Sequence, residues 1–179
     1  MGPVKKKILL LLLAGVALGF AYSPKQQRKV LKEIGREWKT INQEKLKREI
    51  HSLYKADLIA IEQGADGSHT YILSRQGKLK ALSYRFENMK IPKHKWDKKW
   101  RLVSFDIPED YRHARDALRQ KLRQIGFSEL QKSVFVVPYE CKNEIKFLTD
   151  FFEVGKYVRY GVLESIDNDR DLRKIFHLL

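Results

Sequence analysis

The 179-residue sequence holds a single cysteine, Cys141, which excludes an intramolecular disulfide and a zinc site built on cysteine alone. It has no low-complexity tract, no glycine-rich phosphate loop and no nucleophile motif. His51, His69, His94, His113 and His177 are scattered rather than spaced as metal ligands. The main apolar run, Ile8–Phe20, is 13 residues long, short of the roughly 20 that carry a helix across a bilayer. Acidic residues are also scarce: 22 Asp and Glu face 36 Lys and Arg, a net charge of +14. A polyanion is therefore the first partner to consider.

The charge is unevenly spread. Residues 1–95 carry 20 basic and 8 acidic side chains, whereas residues 96–179 carry 16 and 14. The first half suits contact with nucleic acid, and the near-neutral second half needs another role.

Lys5, Lys6 and Lys7 followed by Ile8–Phe20, with Gly19 and Ala21 after them, have the outline of a signal peptide. Export would remove the basic half from its partner, and the helices that follow would lack a third to pack against. Residues 5–21 are therefore expected to form a buried first helix in a cytoplasmic protein with no membrane partner.

Ser23, Pro24 and Gln26 start a second helix, with Val30, Leu31 and Ile34 as its apolar stripe and Gly35 as its stop. A turn containing Trp38 leads to a third helix capped by Asn42. Leu46, Ile50, Leu53 and Leu58 mark its buried side; Glu44, Lys45, Arg48, His51, Ser52 and Lys55 mark the other. Helix, turn and helix with a basic outer face is the arrangement that enters a DNA major groove. Two β-prone runs, 58–62 and 69–73, then flank a loop at 64–68, and Ser74-Arg75-Gln76-Gly77 opens another helix. The ensemble resembles winged-helix DNA-binding domains, which implies that the third helix reads bases while Asp66–Ser68 touches backbone or minor groove.

The expected division is a winged helix over 1–83, a basic linker over 84–99 and a ferredoxin-like βαββαβ domain over 100–179, an α+β protein. Lys93 and Lys95 in the linker join Lys45, Arg48, His51, Ser52 and Lys55 as candidate DNA contacts. In the last domain, alternation places Trp100, Leu102, Ser104 and Asp106 on the sheet face away from the helices. Such an apolar face needs cover, and a homodimer mate is the expected one, with the two Asp106 side chains near the axis.

The segments Arg101–Pro108 (RLVSFDIP) and Gln131–Phe135 (QKSVF), with Arg115, Leu118, Leu122 and Gly126, resemble the small CRISPR-associated ferredoxin-like subunit. That family partners the spacer integrase, and its members have been described as metal-dependent nucleases. The same core, preceded by a winged helix and a Trp96-Asp97-x-x-Trp100 junction, is similar to the transcriptional repressors of phenylacetate catabolism. The two-domain order favours the repressor-like branch: a dimeric regulator binding double-stranded DNA without a cofactor. In the alternative branch, Asp106 is the candidate catalytic and metal position, holding magnesium in an endonuclease or in a scaffold for an integrase.

Overall fold

The computed structural model describes residues 1–14, 18–20, 43–64 and 69–178. They divide into two compact units, Met1–Asn88 and Met89–Leu179. Both are built of helices and antiparallel strands, the α+β composition expected. No helix among the described residues is long and apolar enough to cross a membrane.

The first unit contains helices α1 (Pro3–Leu13), α2 (Gln43–Lys55) and α3 (Arg75–Glu87). Strands β1 (Leu18–Phe20), β2 (Ile59–Gln63) and β3 (His69–Leu73) form a three-stranded antiparallel sheet in the order β1-β3-β2. Its core joins Ile8 and Leu9 of α1 to Leu46, Ile50 and Leu53 of α2, with Ile59, Ala81 and Tyr84. The three-to-four spacing along α2 delivers its side chains to this core, to which β2 contributes Ile59 at its start while Ile61 is exposed.

The helix expected over 5–21 is corrected: α1 ends at Leu13, and Leu18–Phe20 instead pairs with β3, Leu18 opposite Tyr71. An apolar run does not by itself distinguish helix from strand. Here the open edge of β3 supplies backbone partners for its last residues. The helix expected from Ser23, the turn at Trp38, the Asn42 cap and the loop residues Asp66–Ser68 lie outside the described residues.

Entry into α3 explains the Ser74-x-x-Gly77 spacing. Ser74 caps the helix by accepting the Gly77 N–H at 3.0 Å, and its hydroxyl donates to the Asp57 carbonyl at 2.5 Å. A Cβ at Gly77 would lie 1.8 Å from the Leu58 carbonyl oxygen, so the chain closes here only around glycine. The helix then runs to Glu87, so residues 84–87, expected as linker, are helical.

The second unit runs β4 (Trp100–Phe105), α4 (Arg112–Gln124), β5 (Ser128–Gln131), β6 (Val134–Val137), α5 (Lys142–Phe151), β7 (Val158–Leu163) and α6 (Asp169–Ile175). All pairings are antiparallel and the strand order is β5-β6-β4-β7, the ferredoxin-like arrangement. Gly126, at φ +102°, ends α4 in the left-handed conformation. Val103 and Phe105 of β4 are buried, as are Leu118 and Leu122 of α4 and Ile145 and Leu148 of α5.

The opposite sheet face corrects a second expectation. Trp100 is fully buried, yet a helix of the same chain supplies its cover, so it is not left open for a mate. Leu172 of α6 packs with Trp100 and Val136, and Phe176 lies 5.8 Å from the Trp100 ring. The Trp100 indole N–H donates to Asp169 Oδ1 at 2.9 Å, fixing the start of α6 to the sheet. Cover stops short of the other end of β4: Leu102 and Ser104 are half-buried and Asp106 is exposed.

Candidate nucleic-acid interface

Helix α2 divides sharply into two sides. Leu46, Ile50 and Leu53 are sealed in the core, which fixes the helix's rotation about its axis. Lys45, Arg48, His51 and Lys55 consequently face outward, and all four are exposed. Spaced by three and four residues, they form one cationic row about ten residues, or roughly 15 Å, long. Glu44 is exposed at the start of this helix and Lys55 falls in its last turn, the order that the helix dipole favours.

Ser52, expected in the same row, differs. It is half-buried, and its hydroxyl accepts a 2.7 Å hydrogen bond from Lys5 Nζ, which also lies 3.5 Å from Glu49. Lys5 thus ties α1 to the flank of α2, and Ser52 serves that tie. The structure adds Lys47 and Tyr54, both exposed on α2 beside the row. Neither was singled out from the sequence; an exposed lysine or tyrosine at such a position can donate to phosphate.

Lys93 and Lys95 belong to the second unit and are exposed in a segment without regular structure. The end of that segment is anchored. Trp96 packs 5.2 Å from Trp100, the Arg173 guanidinium lies 4.9 Å from the centre of its ring, and its indole N–H donates to the Lys99 carbonyl at 2.9 Å. Asp97 accepts from the Lys99 N–H, which supports the left-handed Lys98 at φ +64°. Its carboxylate also takes a two-pronged contact from the buried Arg101, at 2.6 and 2.7 Å. Glu140 and the Pro138 carbonyl complete the Arg101 guanidinium. The Trp96-Asp97-x-x-Trp100 junction is therefore a clasp on the sheet.

The Arg101 hydrogen bond holds the Asp97 carboxyl down at about 2, below its ordinary 3.8. A depressed carboxylate stabilises the fold above its unfolded pKa, and that contribution disappears as pH falls through the folded value. The thermal midpoint of Asp97→Asn is expected to lie below the parent's near neutrality and to converge on it between about pH 4 and pH 2. Thermal melts of both proteins across that range check this; a constant gap would remove the ionised clasp.

Asp106 ends β4. Its N–H donates to the Tyr157 carbonyl at 3.0 Å, while its exposed carboxylate has no hydrogen bond or ion pair among the described residues. It lines a cleft with Ser104, Ser133, Val134, Lys156, Tyr157 and Arg159, in which it is the only carboxylate among the described residues. No group of three or more His, Cys, Asp or Glu side chains able to hold a metal occurs among the described residues. A lone carboxylate beside Lys156 and Arg159 is a poor magnesium ligand set, because magnesium favours several oxygen ligands and neighbouring cations oppose it.

No curated protein matches the sequence. Residues 93–175 match the family model of the PaaX protein central Cas2-like domain, so the ferredoxin-like unit, with its Trp96–Arg101 clasp, is similar to that domain.

Proposed function

We propose that the chain is a transcriptional regulator of the repressor type that binds double-stranded DNA as a homodimer. In this reading the first unit is a winged helix, α2 lies in the major groove, and β2 and β3 carry the wing. The observation that bears most weight is the row Lys45, Arg48, His51 and Lys55, exposed on a helix whose other side is locked into the core. A rigidly held cationic helix face is what base reading requires. The charge excess of residues 1–95 and the match of residues 93–175 to the PaaX central domain support the same reading. Two-fold pairing joins two half-sites and multiplies their affinities. Helix α6 fills the sheet face at Trp100, so in this reading Trp100 itself is not part of the contact with the mate.

Asp106 takes no catalytic part in this reading, and the cofactor need is none. Lys93 and Lys95 add phosphate contacts that strengthen binding to every sequence alike. Selection from a random duplex library without metal tests the assignment. The parent is expected to enrich one preferred sequence. Arg48→Ala or His51→Ala changes that preference, at about 1–3 kcal/mol of discrimination per lost base contact. Lys93→Ala leaves the preference intact and lowers affinity throughout. Enrichment identical in Arg48→Ala and the parent removes Arg48 from the reading face; absence of any enrichment removes the regulator assignment.

A further inference from the structure

We infer that the cleft beside Asp106, on the part of the sheet that α6 leaves uncovered, is a binding site for a small oxyanion, a phosphate or carboxylate group of a low-molecular-weight ligand. The cleft has a volume of about 500 Å³. Strand register builds its floor: Ser104 of β4 stands opposite Val134 of β6 on one side and Arg159 of β7 on the other. Residues opposite one another on neighbouring strands share a face, so a hydroxyl, an apolar contact and a guanidinium lie side by side.

The donors are held in place from behind. Ser133 Oγ accepts from Arg119 at 3.3 Å, while the same guanidinium is fixed to the Lys132 carbonyl at 2.7 Å. With that lone pair engaged, the Ser133 proton is free to point into the cleft as a donor. Arg159 Nη1 donates to the Lys156 and Val158 carbonyls at 2.9 and 3.0 Å, which leaves Nη2 and Nε for a ligand. Lys156 Nζ lies 4.8 Å from the centre of the Tyr157 ring and interacts with the Tyr157 side chain, but it pairs with no carboxylate among the described residues.

Elsewhere this unit pairs its surface charges closely, as in Arg115 with Glu109, Arg123 with Glu129, Lys146 with Asp150 and Arg173 with Asp169. In the cleft, Asp106, Lys156 and Arg159 line one space without forming an ion pair. Two cations and two hydroxyls in one concavity offer an oxyanion charge-assisted hydrogen bonds. Asp106 on the wall opposes that charge and favours ligands that present a hydrogen-bond donor beside it. This site is independent of the α2 face, and its failure leaves the DNA-binding reading untouched.

Titration of the full ¹⁵N-labelled chain with inorganic phosphate, at constant ionic strength set by chloride, tests the inference by amide chemical shifts. The expected result is saturable change at Ser104, Ser133 and residues 156–159. Arg159→Ala is expected to weaken phosphate binding by about tenfold or more. Lys156→Ala, an exposed substitution that leaves the fold intact, weakens it as well, and Asp106→Asn tightens it several-fold. Shifts spread over the lysines of both units, or unchanged affinity in Arg159→Ala and Lys156→Ala, overturn the site. A short DNA duplex that shifts the same amides and is displaced by phosphate assigns the cleft to backbone phosphates and overturns the small-ligand reading.

Discussion

Trp100→Ala is expected to destabilise the second unit by about 3–5 kcal/mol, the range for removing a fully buried large aromatic. Trp100 has no exposed surface and joins four groups: the ring of Trp96, the ring of Phe176, the side chain of Leu172 and the carboxylate of Asp169. Truncation leaves a cavity and deprives Asp169 Oδ1 of its indole donor. Helix α6 has only seven residues, too few to persist without tertiary contacts. Amide exchange in residues 169–175 should therefore accelerate before the rest of the unit loosens. Urea unfolding together with hydrogen exchange measures both effects. A loss below about 1 kcal/mol with unchanged protection of α6 would mean that something other than this helix covers the sheet.

The second unit was legible in the sequence because each of its signals has a local cause. Gly126 is where the chain turns left-handed, and Leu118 and Leu122 fall at helical spacing. The alternation of Trp100 and Leu102 against Val103 and Phe105 correctly separates the two faces of β4. What covers the outer face was not legible, since alternation reports that a side chain is buried and says nothing of its partner. The signals for α6 were present in Leu172 and Phe176 four residues apart and in the Asp169–Arg173 pair. A helix of seven residues leaves too short a periodic pattern to stand out.

In the first unit, the outward row on α2 followed from the positions of Leu46, Ile50 and Leu53, because fixing one side of a helix fixes the other. Ser52 shows the limit of that inference. Its partner Lys5 lies 47 residues away, and no local pattern reports such a contact. The strand at Leu18–Phe20 failed for a related reason: its conformation is set by the edge of β3, some 50 residues further along the chain. Asp106 was found by resemblance, whereas Lys156 and Arg159 beside it were not, because only the β4–β7 pairing brings them together.

If the exposed face of α2 carries the duplex contact, Lys45, Arg48 and Lys55 replaced together by alanine should cost at least about a hundredfold in affinity. All three side chains are exposed, so the fold should survive the change. Each cation that neutralises a phosphate releases counterions and adds about 0.9 to the slope of log affinity against log salt. The deciding measurement is duplex affinity against salt concentration, in a metal chelator, for the parent and the triple variant. The predicted result is steep, metal-independent binding by the parent and a slope lower by about 2–3 in the variant. Equal affinities and equal slopes for the two proteins would contradict the assignment of α2 as the DNA-binding face.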